Sequence, residues 1–346
     1  MKRVLIVGSG KRVKESALPA FLRARDRFRI AGVFSRTARR ITAAGEPAES
    51  FEVAPLEQLD AATLAGADLI YMVVAKDAVP AVLRRIVAHD VSGVDMLIET
   101  PVLRFRLLGH LGLLDAFRNT WVSEDCTRLP FFNAVANFLA RGAMGPPEQI
   151  VLEHSAYAYH GIAIGRALFG ANQVTGGRRV REAGGARRTV RFDGGGQLEV
   201  VEPRDYARGH VLIEGPGGAI SDDPASAAPH RLTPVVEGGA CTGFRVDDAT
   251  AALTTDERAL MGAPLAGAPP ESVTTWMDGM KRVGFLRLLG DVDEGRGAHP
   301  LLRAVEDTVV DYHLEKFGRY VATPLTNPAS PLARLALRAV TRLAGG

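Results

Sequence analysis

The feature that most constrains the fold of this chain is an alternation of short apolar runs with helix-like stretches through the first hundred residues. Apolar runs at 3–8, 29–34, 67–75 and 93–99 have the length and composition of buried strands. Strands that alternate with helical stretches form βαβ units, and strands covered on both faces are apolar throughout. The pattern predicts an α/β domain with a parallel sheet over about residues 1–125.

A glycine pair follows directly on the first apolar run. Gly8 permits a tight turn at the end of the strand, and Gly10 lets the main chain approach a phosphate group at the start of the next helix. Val13 stands where the dinucleotide-binding fingerprint has a third glycine, so we expect looser packing of helix against strand there. The loop predicts a dinucleotide site of the Rossmann type, and an ordinary glycine turn is the alternative. Its candidate cofactor contacts are Gly8, Ser9, Gly10, Lys11 and Arg12.

The end of the second apolar run bears on which dinucleotide the domain binds. A site for NAD places a carboxylate there, against the ribose 2′-hydroxyl. This chain instead has Ser35 and Arg36, followed by Arg39 and Arg40. A serine hydroxyl and a guanidinium group can bind a 2′-phosphate, so the expected cofactor is NADP, with NAD as the alternative. The stretch 37–46 is expected to form a short helix, on which the two later arginines could instead face solvent.

The pattern changes from about residue 148. The stretch 148–159 is expected to be a long strand that enters a helix, and short β-like segments separated by glycine turns follow. Two longer helical stretches come after them, at 271–291 and 299–321. Short strands with glycine turns are typical of an antiparallel sheet. The sequence thus predicts a second domain of the α+β class over residues 126–330.

Residues 331–346 differ in sequence pattern from the segments before them. Apolar residues recur at helical spacing on one face, and arginines line the other. We expect an amphipathic helix that packs against the protein or a partner subunit, and a helix at a membrane surface is the alternative. No apolar run approaches the roughly 20 residues that a membrane-spanning helix needs.

The charge and the cysteines of the chain indicate which partners, metal sites and compartment to expect. The net charge is +3, and the arginines are dispersed along the chain, which argues against nucleic acid as a partner. Cys126 and Cys241 have neither metal-ligand spacing nor a disulfide framework, so no metal is expected. A reducing, cytoplasmic compartment is favoured.

Four stretches, taken in their order and spacing, resemble a known family. They are VLIVGSGKRVKESALPAF, AGVFSRTARR, the pair ADLIYMVVAKDAVPAVLRRI and VDMLIETPVL, and the stretch from SEDCTRLPFF to VLEHSAY. Together they resemble the Gfo/Idh/MocA family of NAD(P)-dependent oxidoreductases. The resemblance implies a Rossmann domain, then a domain whose open, mainly antiparallel sheet forms the substrate side. It also implies a small-molecule substrate and a homo-oligomer that assembles through that sheet.

One motif departs from the family at the expected nicotinamide end of the site. The family has Glu-Lys-Pro, whose lysine assists proton transfer to or from the substrate oxygen, whereas this chain has Glu99, Thr100 and Pro101. Threonine cannot act as a general acid near neutral pH, although it can form a hydrogen bond. The resemblance makes these three residues cofactor contacts, together with Val74 and Ala75 at the end of the third apolar run.

A second family feature is kept in part. The family carries Asp and His four residues apart near the start of a helix in the second domain, and His160 fits the histidine position whereas Ala156 occupies the other. Histidine titrates near neutrality, so His160 is the expected proton donor. Tyr157, Tyr159 and Thr100 are further candidate catalytic residues. On the expected strand, both tyrosines would share one face.

These features predict an NADP-dependent oxidoreductase that transfers hydride to or from a C=O or C=N group of a small polar metabolite. A sugar, a sugar nucleotide or an intermediate of specialised metabolism would fit. The absence of a lysine at position 100 suits imine reduction, because a nitrogen can be protonated before hydride arrives. A catalytically inactive NAD(P)-binding regulator or sensor of the same fold is the alternative.

Overall fold

A computed structural model describes residues 1–45, 48–142, 144–171, 173–328 and 330–344. The chain divides into two compact units. The first contains Met1–Glu124, Phe285–Thr308 and Thr323–Gly346, and the second contains Asp125–Gly284 and Val309–Ala322. Residues 285–308, which the sequence pattern placed with the second domain, thus cluster with the first unit.

In chain order, the strands are β1 (Lys2–Val7), β2 (Phe28–Ser35), β3 (Arg39–Thr42), β4 (Ser50–Pro55), β5 (Leu69–Met72), β6 (Asp95–Glu99), β7 (Asn119–Ser123), β8 (Gln149–Glu153), β9 (Val174–Glu182), β10 (Gly185–Phe192), β11 (Gln197–Glu202), β12 (His210–Gly215), β13 (Gly218–Ser221), β14 (His230–Glu237), β15 (Ala240–Val246), β16 (Ala249–Ala252), β17 (His299–Pro300) and β18 (Arg319–Val321). The helices are α1 (Leu18–Arg23), α2 (Ala61–Ala65), α3 (Val79–Ile86), α4 (Phe131–Leu139), α5 (Ala158–Phe169), α6 (Thr255–Met261), α7 (Met277–Asp293), α8 (Leu301–Phe317) and α9 (Pro331–Ala344).

The first unit is built on an eight-stranded sheet with the order β17-β7-β6-β5-β1-β2-β4-β3. All neighbouring pairs from β7 to β4 are parallel, and the two edge strands are antiparallel. All four residues of β5 are buried, as are the last four of β1. The predicted parallel sheet is confirmed, because continuously apolar strands are buried on both faces.

The second unit is built on a ten-stranded sheet with the order β16-β15-β14-β13-β12-β8-β11-β10-β9-β18. Two pairs are parallel, β8 with β11 and β13 with β14, and the others are antiparallel. Helix α5 lies close against this sheet, since a Cβ atom on Gly161 would come within 2.6 Å of a Val200 methyl carbon. The predicted α/β class with a second, mainly antiparallel sheet is confirmed.

The helix that follows the glycine loop contains a π-helical turn. This turn covers Val13–Ala17, and the N–H of Leu18 donates to the carbonyl of Val13. Val13, which replaces the third fingerprint glycine, is fully buried. A π turn holds one residue more than an α turn, and it widens the helix at the place where looser packing was expected.

Two local predictions were wrong. Residues 37–46 do not form a helix, because Arg39–Thr42 forms strand β3 and pairs with β4; residues 46 and 47 lie outside the described part. The stretch 148–159 is a strand only to Glu153, because His154 takes a positive φ of 50°. Tyr157 and Tyr159 therefore do not share a strand face.

The C-terminal segment forms helix α9, as predicted. It packs against residues 105–116, a run of 3₁₀ turns in the same unit. Ala333 is buried in this contact, whereas Leu335 is exposed. Over the residues that the structure describes, no helix combines the length and the apolar character needed to cross a membrane.

Candidate functional site

A cleft lies at the carboxyl edge of the first sheet. Its volume is about 480 Å³, and it is lined by the glycine loop, the end of β2, the loop after β5 and the start of α3. Ligands of open parallel sheets bind at this edge, beside the strand where the order reverses. The predicted cofactor contacts that line the cleft are Gly8, Ser9, Gly10, Ser35, Arg36, Val74 and Ala75.

Only glycine fits at position 8, because of its main-chain conformation and its neighbours. Its φ is +135°, and a Cβ atom there would lie 2.1 Å from the carbonyl oxygen of Val73. A Cβ atom on Gly10 would meet no atom within 4 Å, so the main chain is open to the cleft there. The first glycine thus forms the turn, and the second leaves space where a phosphate group would approach.

The end of β2 presents hydroxyl and guanidinium groups to the cleft. Ser35, Arg36, Thr37 and Arg39 line it, and the nearest carboxylate in the lining is Glu57, from another segment. Arg39 donates through Nη2 to the carbonyl and hydroxyl oxygens of Ser9, both at 2.6 Å. This arginine lies beside the glycine loop because β3 is a strand.

Six predicted contacts are not among the residues that line the cleft: Glu99, Thr100 and Pro101, which lie at and just after the end of β6, and Lys11, Arg12 and Arg40. Arg40 forms an ion pair with Glu52, on the neighbouring strand, and is not among the residues that line the cleft. Lys11 is exposed and pairs with Glu15 at 3.5 Å. Arg12 points inward and donates from Nε to Glu99 at 3.1 Å.

The Glu99 side chain is a buried hub at the end of β6. Its Oε1 atom accepts hydrogen bonds from the Tyr71 hydroxyl at 2.6 Å and the Ser123 hydroxyl at 2.8 Å, in addition to that from Arg12. Burial opposes its charge, but Arg12 and Lys76 outweigh burial and hold the pKa of Glu99 below its usual range. The carboxylate thus fixes the start of the Glu-Thr-Pro motif.

Thr100 and Pro101 follow this hub. The peptide bond between them is cis. The Thr100 hydroxyl is buried and has no hydrogen-bond partner within the described part of the chain. An unsatisfied buried hydroxyl costs free energy, so it marks a place where a bound molecule can supply the missing partner.

Sequence reasoning missed Lys76 in this region. The residue lies in the loop between β5 and α3, and Nζ donates to the main-chain carbonyl of Glu99 at 2.8 Å. Burial lowers the pKa of Lys76 to about 8. The signal was a lysine placed directly after the longest apolar run, where a strand reaches the carboxyl edge of the sheet.

In the second unit, the predicted catalytic residues lie together at the start of α5. Tyr157 is the residue before the helix, and His160 is its third residue. The rings of Tyr159 and His160 are 4.2 Å apart, and the two tyrosine rings are stacked at 6.0 Å. Cys126 lies against His160; burial raises the pKa of this thiol, although the histidine lowers it in part.

Two cations beside this group were also missed. The Arg204 guanidinium lies 4.3 Å from the centre of the Tyr157 ring and 4.7 Å from that of Tyr206. Lys281 donates to the Tyr206 hydroxyl at 2.7 Å. Burial opposes the charge on Lys281, but the neighbouring Cys126 and Tyr206 raise the pKa of this lysine above its usual range. The surroundings of His160 are therefore electropositive. The sequence pattern around Arg204 and Lys281 did not indicate that these residues would lie there.

Solved structures similar to this chain include proteins described as oxidoreductases and dehydrogenases. One from Thermotoga maritima has a TM-score of 0.60 and 14% identity, covering 92% of this chain and 98% of its own. Levoglucosan dehydrogenase, in complex with NADH and levoglucosan, has a TM-score of 0.61 and 12% identity, with coverage of 93% and 99%. An oxidoreductase from Agrobacterium radiobacter, in complex with NAD+, L-tartaric acid and magnesium, has a TM-score of 0.58 and 14% identity, with coverage of 92% and 98%.

At these identities, the likeness establishes the fold of the whole chain. No protein-family model matches the sequence, and no curated protein matches it.

Proposed function

We propose that this chain is an oxidoreductase that uses NADP and transfers hydride to or from a C=O or C=N group of a small polar metabolite. The observation that carries the proposal is the cleft at the carboxyl edge of the parallel sheet, with the Gly8 turn on one side and Ser35, Arg36 and Arg39 on the other. A 2′-phosphate would meet hydroxyl and guanidinium donors at the end of β2.

The chain's own residues fit a dinucleotide. Gly8 forms the turn of the loop, Gly10 leaves its main chain open to a pyrophosphate, and Arg39 holds Ser9 beside it. The orphaned hydroxyl of Thr100 lies at the end of β6, on the side of β1 away from β2. When bound, the cofactor would supply or accept hydride at its nicotinamide ring.

His160 is the proposed proton donor for the reacting oxygen or nitrogen. It is half-buried, and its ring lies against Tyr159. An imidazole ordinarily gains and loses a proton near neutral pH, whereas a phenol ordinarily releases its proton only near pH 10. Tyr157 and Tyr159 are proposed to contact the substrate and donate hydrogen bonds.

Substrate class follows from the same residues. Arg204 and Lys281, beside the proposed donor, favour a polar or anionic substrate. Two of the similar structures are complexes with levoglucosan and with L-tartaric acid, both polyhydroxylated molecules. Imine reduction remains within the proposal, because Thr100 cannot supply a proton.

A second candidate function is a cofactor-binding regulator without turnover. Thr100 and Ala156, in place of the family's lysine and aspartate, favour it. The two candidates differ in turnover, so we would assay hydride transfer from NADPH to L-sorbose and to 1-pyrroline, and from levoglucosan to NADP+. The proposed enzyme turns over one of them and loses at least 100-fold in kcat in the His160→Gln variant. Binding of NADPH without turnover of any of them would favour the regulator.

A further inference from the structure

Lys76 lies beside the Glu-Thr-Pro motif, which has threonine at position 100 where the related family has lysine. Its Nζ donates to the main-chain carbonyl of Glu99 at 2.8 Å, and Thr100 follows Glu99 in the chain. The lysine comes from the end of β5, the strand directly beside β6 in the sheet. The ammonium group of Lys76, at the end of β5, thus lies next to Thr100, at the end of β6.

Lys76 does not bond directly to the Glu99 carboxylate, although its charge helps to lower the pKa of that group. The Glu99 carboxylate accepts from Arg12, Tyr71 and Ser123, whereas Lys76 bonds only the main-chain carbonyl of that residue. That carbonyl is the one acceptor of Nζ within the described ranges, so two of its three N–H bonds are left for another molecule.

The loop that carries Lys76 also forms the cleft. Val73, Val74 and Ala75 line it, and Ala78 follows on the other side of the lysine. A dinucleotide whose adenosine ribose lies at the end of β2 extends across β1 toward the ends of β5 and β6. Lys76 belongs to the nicotinamide side of that path, where the reacting atoms of a substrate would be.

We propose that Lys76 is a catalytic residue, whose ammonium group donates a hydrogen bond to the carbonyl oxygen of the substrate, on which negative charge develops during hydride transfer. This inference rests on the proposed function. In the direction of reduction, hydride adds to the carbonyl carbon, and the electron pair of the C=O double bond passes to the oxygen. Lys76 stabilises the resulting charge electrostatically and keeps its own protons, while the proton comes from the separate donor.

Activity therefore requires the protonated form of Lys76. Reduction of L-sorbose by NADPH should fall as pH rises through about 8, the pKa to which burial lowers this lysine. The fall centred on about pH 8 should be absent in Lys76→Met and shifted to higher pH in Lys76→Arg, because a guanidinium does not lose its proton in this range, whereas any fall due to the His160 donor should remain in both variants.

The direct test compares kcat for reduction of L-sorbose in the parent protein and three variants. Lys76→Met is expected to lower kcat at least 100-fold and leave the Kd for NADPH within twofold. Lys316→Met, at an exposed position near the end of α8, is the matched control and should keep full activity. Adding Thr100→Lys to Lys76→Met should recover at least tenfold, since the new lysine starts beside the same carbonyl. Unchanged kcat in Lys76→Met would overturn the inference.

A second readout needs no turnover. Trinitrobenzenesulfonate at pH 8 modifies neutral amines, so Lys76 should react faster than the exposed lysines, as peptide mass mapping would show. NADP+ should protect it, whereas 2′-phospho-ADP-ribose, which lacks the nicotinamide, should not. If both molecules bind and Lys76 reacts equally with either, the inference fails and the proposed function stands. If neither binds, the proposed function fails.

Discussion

Two largely buried charged residues at neighbouring strand ends, Glu99 and Lys76, carry the chemistry that we propose for the first unit. The sequence indicated Glu99 through its motif, but the motif did not show that Arg12 would turn inward to bind it. Lys76 has no motif at all. Lys76 contacts the main-chain carbonyl of Glu99, 23 residues later in the chain, and this contact forms only when the sheet folds.

The charge on Lys76 should reduce stability. Burial lowers its pKa to about 8, whereas the unfolded chain keeps the ordinary value of 10.5. Between these pH values the unfolded state binds more protons, so stability rises with pH across that window and the full cost is present below pH 8. Lys76→Met should raise the free energy of unfolding at pH 7 by about 1 kcal/mol, discounted for partial exposure.

Urea unfolding at pH 7 and pH 10.5 measures this effect. The gain from Lys76→Met should shrink at the higher pH, and Lys316→Met should show no gain at either. A variant less stable than the parent at pH 7 would mean that the lysine has a structural role.

Gly8 and Gly10 differ in what their main chain permits. Gly8→Ala places a methyl group against the Val73 carbonyl and forces a positive φ on alanine. We expect this variant to lose about 3 kcal/mol or more of unfolding free energy. Gly10→Ala meets no neighbour, so its loss in the cofactor-free protein should stay below about 1 kcal/mol. Equal losses in thermal or urea unfolding would contradict the assigned roles.

At the scale of elements, local pattern predicted the buried strands well and the exposed segments poorly. Strands β1, β5 and β6 are largely apolar on both faces, and this pattern predicts a strand that is buried in a sheet. Residues 39–42 have no such pattern, and pairing with β4 outweighs their helical tendency. The strand β8 ends early because of the main-chain turn at His154, which alternation of side chains does not reveal.

Helix α9 offers a test at this scale. Ala333 is 1% exposed where the helix packs on residues 105–116, and Leu335 is 68% exposed. Ala333→Glu buries a charge without a designed partner and should cost about 2–3 kcal/mol of unfolding free energy. Leu335→Glu should change it by less than about 0.5 kcal/mol. If Leu335→Glu were the more damaging substitution in urea unfolding, the opposite face of the helix would be the packed one.

At the scale of the whole molecule, the order of segments predicted the class of both sheets. It did not predict that residues 285–308 and 323–330 would belong to the first unit, because α7 and α8 each continue across the division without a break in pattern. Long-range packing decides to which unit each segment belongs, and the periodicity of one sequence does not reveal that packing. The cations Arg204 and Lys281 escaped notice for the same reason.

We also propose that the chain is a homo-oligomer that assembles through the second unit's sheet. Strand β18 is an edge strand, and Phe317 and Val321, beside and within it, are 63% and 61% exposed. Exposed edges of this kind are commonly covered by another chain. Light scattering should give a multiple of 37.0 kDa, and a lower mass for Phe317→Glu with Val321→Glu. A monomer in the unchanged protein would contradict this.

The central claim, that the cleft of the first unit binds NADP, is tested most directly by fluorescence titration with NADPH and NADH. We expect NADPH to bind at least tenfold more tightly than NADH. Arg39→Ala should remove most of that preference, because one guanidinium hydrogen bond to a phosphate is worth about 1.5–3 kcal/mol. Arg29→Ala, at an exposed position on the same strand as Ser35, should retain it. Binding of neither nucleotide, or tighter binding of NADH, would contradict the claim.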